Sequence, residues 1–313
     1  MIKDKKILIL SGPTGVGKTN LSIKLAKRMN GEIISADSMQ IYKHMDIGSA
    51  KIKLEQMNGV THHLINVCEP DEEFNVSMYV DLAKKIIDEI ISKNKLPLIV
   101  GGTGLYIRSL IYNQKHCTSG ENKEYRIYLQ NLAKENGNQY LHNMLKEIDY
   151  ESYRKIHYNN VKRVIRALEV YHLTKKPFSS FKNDEDEKSI YDFKYYILNL
   201  ERKNLYDNIN RRVDFMIEEG LVKEVEKLKK LGYKKEFQSM QGIGYKEVFE
   251  YLDNNISFDE MIELIKKNSR NYAKRQLTWF KKEKDNHFIQ KDNMNDEEIL
   301  NYIIEDYYNA NRS

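Results

Sequence analysis

The chain has 313 residues, with 51 Lys+Arg against 46 Asp+Glu, a formal net charge of +5, 41% hydrophobic residues and 31% charged residues. That mixture supplies a core and a solvated surface of both signs, and it excludes collagen-like, mucin-like and fully disordered classes. Two cysteines, Cys68 and Cys117, cannot build a disulfide framework, no Cys-x-x-Cys or His/Cys cluster suggests structural zinc, and the pattern fits the cytoplasm.

The opening, Met1 to Lys6, is polar, and the apolar run Ile7 to Leu10 is too short for a signal-peptide core. No later stretch approaches a membrane span. Lys6 to Ser11 reads as a buried strand before a glycine-rich turn. Thr19 to Met29 carries apolar residues at helical spacing. A second strand is expected at Glu32 to Ser35 and a third at His63 to Val67. Ser77 to Lys93 predicts a helix with Ser77 as N-cap. Leu96 to Val100 is another buried strand, ending at Gly101-Gly102. This alternation predicts an α/β core, a parallel sheet flanked by helices. From Tyr125 to about Leu173 the pattern is helical, and Asn183 to Lys188 is a charged loop. Tyr195 to Leu200 returns as a strand, and helices are expected from Asn204 to the end. The reading is a core in two parts, 1–116 and 191–313, interrupted by a helical insertion at 117–190. No internal repeat is present.

Gly12-Pro13-Thr14-Gly15-Val16-Gly17-Lys18-Thr19 fits G-x-x-x-x-G-K-[ST] between a strand and a helix. The glycines let successive N–H groups face one anion, and the helix N-terminus adds its dipole. Lys18 supplies a point charge, and the Thr19 hydroxyl can ligate magnesium. ATP is the usual occupant, but any diphosphate satisfies the same physics. Asp37 follows the second strand, at the crevice where open α/β sheets bind ligands. It is either a magnesium or general-base carboxylate or a turn aspartate. Thr103, in Gly101-Gly102-Thr103-Gly104, either donates to a phosphate or caps a helix.

Basic residues cluster twice. Arg154 to Arg166 holds Arg154, Lys155, Lys162, Arg163 and Arg166 with no acid. In Glu263 to Lys284, Lys267, Arg270, Lys274 and Lys281 fall on one helical face, interleaved with Tyr272, Trp279 and Phe280. Such a face suits RNA, whereas a solvated helix with aromatics in the core would look similar. Gln241-Gly242-Ile243-Gly244-Tyr245-Lys246 is either an RNA-contacting or a structural turn. His62 and His63, adjacent in a strand, face opposite sides and do not share a metal.

Taken in order, GPTGVGKT (12–19), ISADSMQIYKHMDIGSAK (34–51), HHLINV (62–67), LIVGGTGLYI (98–107), RVIRALEV (163–170), MQGIGYKE (240–247) and AKRQLTWFK (273–281) resemble the tRNA dimethylallyltransferases, also called tRNA isopentenyltransferases. The resemblance implies a P-loop NTPase-like α/β core with an inserted helical domain. It implies transfer of a dimethylallyl group from its diphosphate to N6 of the tRNA adenosine 3′-adjacent to the anticodon, with magnesium as cofactor. The phosphate loop, Gly12 to Thr19, would hold dimethylallyl diphosphate rather than ATP, with Arg212 on the diphosphate side. Asp37 matches the general base, and Thr103 a residue at the reacting centre. Asp37, Ser38, Met39 and Gln40, then Arg126, Lys162, Arg163 and Arg166, then Gln241 to Lys246, then Lys274, Arg275, Gln276, Trp279 and Lys281 match tRNA-contacting stretches. The partner is the anticodon stem-loop, and the expected state is a cytoplasmic monomer. Two positions depart from the family: His44 stands where glycine is common, and Tyr158 where proline is common. The rivals are a small-molecule kinase, an isopentenyltransferase of free adenine nucleotides, and a non-enzymatic RNA binder.

Overall fold

The computed structural model describes residues 5–113, 120–181 and 189–309. Cys117 and the charged loop Asn183 to Lys188 lie outside them. The chain divides into two compact units, one from Met1–Ile111 with Ile190–Ser313 and one from Tyr112–Ser189. Among the described residues no helix is long and apolar enough to cross a membrane.

The larger unit is built on six parallel strands in the order β3-β2-β4-β1-β5-β6. These are β1 (Lys6–Ser11), β2 (Gly31–Ala36), β3 (His62–His63), β4 (Leu96–Gly101), β5 (Asp192–Asn199) and β6 (Asn286–Gln290). The central strands are buried on both faces, which explains their unbroken apolar runs. Leu8 and Leu10 pack on one face with Leu21, Leu25, Leu98 and Leu198. A Leu10→Ala change there costs about 2–5 kcal/mol.

Covering helices are α1 (Lys18–Arg28), α2 (Val76–Ser92) and α3 (Gly104–Ile111). The cap of α2 is Asn75, not Ser77: its side chain accepts from the Ser77 and Met78 amides. The third strand is shorter than the sequence suggests, because Leu64 and Asn66 take φ values of 59° and 57°. The strand β6 replaces part of the expected all-helical tail. It lacks an apolar run, and of its five residues only Ile289 is buried.

The smaller unit is helical: α4 (Lys123–Asn136), α5 (Asn138–Asn143), α6 (Leu145–Ile148), α7 (Tyr150–Lys155) and α8 (Val161–Thr174). They close on Leu129, Leu141, Leu145, Val164, Ile165 and Leu168. After β5 the larger unit continues through α9 (Arg202–Glu218), α10 (Leu221–Lys230), α11 (Tyr245–Leu252), α12 (Phe258–Phe280) and, beyond β6, α13 (Asp296–Asn309).

The register positions the site. Ser11 pairs with Gly101, and Gly101 pairs with Ala36. The turns after β1, β4 and β2 therefore leave the sheet side by side at its carboxyl edge. Gly101 is required there: a Cβ would sit 2.2 Å from the Ala36 carbonyl oxygen.

Candidate active site

The phosphate loop curls between β1 and α1. Gly15 and Gly17 have φ of 81° and 87°, which side-chain-bearing residues adopt at a cost. Lys18 folds back over the loop, its Nζ donating to the Gly12 and Pro13 carbonyls at 2.8 and 2.9 Å. Burial, with the nearby Arg212 charge, pushes its ammonium down to about 7, while Asp37 opposes the shift. Burial also lowers Arg212, again opposed by Asp37. Among the described residues Arg212 has no hydrogen bond or ion pair. Two half-buried cations thus lie within electrostatic reach of one carboxylate near a helix N-terminus, which fits a multiply charged anion.

The Thr19 side chain, in the first turn of α1, is exposed. Among the described residues no group of three His, Cys, Asp or Glu can cage a metal. The exposed Thr19 hydroxyl is an oxygen donor of the kind magnesium takes, since that ion keeps several waters and binds through substrate phosphates with one or two protein oxygens.

Asp37 heads the turn after β2, and its Oδ1 accepts from the Met39 amide at 2.8 Å and the Gln40 amide at 3.4 Å. It is therefore a turn aspartate, and among the described residues its Oδ2 accepts no hydrogen bond. Thr103 sits beside it: its Oγ1 accepts from the Ser38 amide at 3.1 Å, and its own amide donates to Ala36 at 3.0 Å. Tyr272 closes this corner from α12. Its phenol is pushed up to about 12 by burial and by the Asp37 charge, while hydrogen bonds with Thr103 and Gln276 partly offset this. Sequence reasoning had Tyr272 only as an interleaved aromatic. Its place four residues before Gln276, on the same face of α12, was the available signal.

A cleft of about 830 Å³ borders Thr19 and Arg212 and is lined by Ile23, Ile47, Lys51 and Phe215 among others. Lys51 is a residue the sequence did not single out. Its Nζ donates to the Tyr42 carbonyl, Asp46 Oδ1 and Asn66 Oδ1, each at 2.7 Å.

Candidate RNA-contacting residues divide into exposed and structural groups. Lys274, Arg275 and Lys281 are exposed along α12 and at its end, and Arg275 lies over the Tyr272 ring at 5.7 Å. Gln276 is only 6% exposed and points inward. Trp279, 37% exposed, packs its ring on Gly104. Met39 packs on Gly242, while Gln40 donates to the Ser49 and Ala50 carbonyls. Gln241 is exposed and donates to the Lys235 carbonyl; Ile243 is half-buried and Lys246 partly exposed beside Glu247. Tyr245 is fully buried and donates to Glu224 Oε1 at 2.8 Å. Its side chain braces the turn rather than facing solvent, and Gly244 takes φ of 97° before it. In the smaller unit Lys162 and Arg163 are exposed. Arg126 and Arg166 both pair with the buried Glu169, at 2.8 and 2.6 Å.

A family model described as IPP transferase matches residues 40–283. The chain belongs to the tRNA isopentenyltransferase family. The full-length tRNA isopentenylpyrophosphate transferase of Bacillus halodurans is 43% identical over 99% of this chain and 100% of that one, with a TM-score of 0.73. The tRNA delta(2)-isopentenylpyrophosphate transferase of Staphylococcus epidermidis is 41% identical over 97% and 99%, with a TM-score of 0.71. A eukaryotic dimethylallyltransferase acting on tRNA is 30% identical over 92% of this chain and 74% of that one, with a TM-score of 0.77. One departure from the tRNA isopentenyltransferase pattern falls at a position of special backbone conformation. His44 has φ of 63°, the left-handed region that favours the glycine common there.

Proposed function

We propose that this chain transfers a dimethylallyl group from dimethylallyl diphosphate to N6 of the tRNA adenosine 3′-adjacent to the anticodon. The observation that carries this reading is the convergence of Lys18, Arg212 and Asp37 at the carboxyl edge of the sheet, two cations for a diphosphate and one carboxylate for a proton.

The phosphate-loop amides, Lys18 and Arg212 hold the diphosphate and stabilise the charge it gathers as the C–O bond to the allylic carbon breaks. The adenine amine is a weak nucleophile, since its lone pair is delocalised into the ring. As its bond to carbon forms, a proton becomes acidic, and Asp37 takes it. Thr103 and Tyr272 keep Asp37 and its turn in place. The products are the N6-alkylated adenosine and free diphosphate. Magnesium, held by the Thr19 hydroxyl and diphosphate oxygens, would neutralise part of the donor's charge. The adenine leaves its stack to be reached. Lys274, Arg275 and Lys281 are exposed cations of the larger unit available to the anticodon stem-loop. Lys162 and Arg163 are exposed cations of the helical unit by itself. The protein acts as a cytoplasmic monomer.

Calorimetry tests the choice of donor. Dimethylallyl diphosphate binds to the wild type and binds more weakly to Lys18→Ala. Tight ATP binding with phosphoryl transfer and no affinity for the prenyl diphosphate would favour a kinase instead.

A further inference from the structure

Glu224, on α10, fills a nest of backbone amides with its own carboxylate. Its Oε2 accepts from the Asp46 and Ile47 amides at 2.9 and 2.8 Å. Its Oε1 accepts from the Gly48 amide at 3.1 Å and from the Tyr245 hydroxyl at 2.8 Å. Three successive N–H groups converging on one anion form the kind of concavity that elsewhere captures phosphate. Here the protein occupies it, so the nest is a clasp rather than a ligand site.

The clasped turn borders a cleft on one side and is hydrogen-bonded toward the Asp37 turn on the other. Asp46 and Ile47 line the cleft beside Thr19 and Arg212. The next residues, Ser49 and Ala50, accept long hydrogen bonds from Gln40 Nε2 at 3.5 and 3.4 Å. The Gln40 backbone N–H in turn donates to Asp37 Oδ1 at 3.4 Å. Lys51 braces the turn from within through Asp46.

We infer that Glu224 is a positioning residue for the transfer: it fixes the 46–48 turn, whose Asp46 and Ile47 line the cleft beside Thr19 and Arg212, and, through Ser49, Ala50 and Gln40, the turn that aims Asp37, without touching either substrate. The inference rests on the transfer reading above. Misplacement of reacting groups by about 1 Å can cost ~10²-fold in rate, so a clasp remote from the chemistry can set its speed.

The test is Glu224→Gln, which keeps the shape but turns an NH₂ group toward amide donors. With dimethylallyl diphosphate and tRNA, and below the melting temperature, KM for the donor rises and kcat falls, together by about tenfold or more. Affinity for tRNA is unchanged, and hydrogen exchange at 46–48 accelerates. Tyr245→Phe removes one bond of the four and shifts the same constants less. A folded Glu224→Gln with wild-type kcat and donor KM overturns the inference, as does a loss confined to tRNA affinity. If Glu224→Gln does not fold, wild-type kinetics in Tyr245→Phe overturn it. A wild-type enzyme that fails to transfer dimethylallyl at all refutes the parent reading instead.

Discussion

The Thr14 amide donates to Gln276 Oε1 at 2.9 Å, so a side chain of α12 is hydrogen-bonded into the phosphate loop. Gln276 Nε2 donates onward to the Gly102 carbonyl at 2.9 Å. One buried amide thus ties the turn after β1 to the turn after β4, and it takes one loop N–H away from the diphosphate.

Gln276→Leu removes both bonds and leaves two polar backbone groups unpaired. Thermal denaturation should show a loss of about 2–3 kcal/mol, and KM for the donor should rise. If only tRNA affinity fell, Gln276 would be an RNA contact and not a tie.

Asp37→Asn separates the turn from the chemistry. The amide oxygen still accepts from Met39 and Gln40, so the fold and substrate affinities stay close to wild type. The single-turnover rate should drop by about 10²–10⁴-fold, the range for losing a general base. A near-normal rate with tRNA bound would remove Asp37 from that role.

The free Lys18 ammonium, at about 7, predicts proton uptake on donor binding. A bound diphosphate adds negative charge beside Lys18 and raises its pKa. Below about 7 the ammonium is already charged, and above it the donor must bring a proton in. Donor affinity therefore weakens as pH rises from about 7 toward the ordinary lysine value. Calorimetry near pH ~8 in buffers of different ionisation enthalpy reads the uptake directly. Equal heats in all buffers, in the presence of tight binding, would contradict it.

Lys274 is exposed on α12. Removing a single lysine–phosphate interaction should flatten the plot of log affinity against log salt by about 0.7–0.9. Lys274→Ala is expected to weaken tRNA binding with that signature and to leave donor binding unchanged. Superimposable lines for wild type and variant would leave the lysine a solvated surface group.

In the helical unit Glu169 is fully buried, and it accepts from Arg126, Arg166 and the Asn122 amide. Burial alone would raise its carboxyl, but these partners hold it below its usual value. A depressed carboxylate stabilises the fold above its unfolded pKa and loses that contribution as pH falls through the folded value. Glu169→Ala should cost about 3 kcal/mol near neutral pH and less in acid. A cost independent of pH would contradict the ion-pair account. Arg126 and Arg166 thus stabilise this unit whether or not they also meet RNA.

The phosphate loop and the strands beside it were legible because glycine spacing and unbroken apolar runs are local signals. Asp37 was legible as a residue but ambiguous in role, and its geometry makes it both turn former and free oxygen. What escaped depends on contacts distant in sequence. Glu224 meets residues 46–48 from 176 to 178 positions away in sequence, and nothing in its own helix marks it. The strand β6 escaped because Asn286 to Gln290 shows no apolar run and is defined by its pairing with β5. The inward turn of Gln276 escaped because a basic, aromatic-rich stretch reads alike whether its polar members face RNA or the core, and Tyr245 stands in a glycine-framed turn that reads equally as RNA-contacting or structural.

The most direct measurement is transfer itself. Purified protein is incubated with magnesium, isotopically labelled dimethylallyl diphosphate and a tRNA bearing adenosine 3′ of its anticodon, and the nucleosides are then analysed. The account predicts label on N6 of that adenosine in the wild type and its near-complete loss in Asp37→Asn. Unlabelled tRNA with the wild type, alongside phosphoryl transfer from ATP to a small molecule, would contradict it.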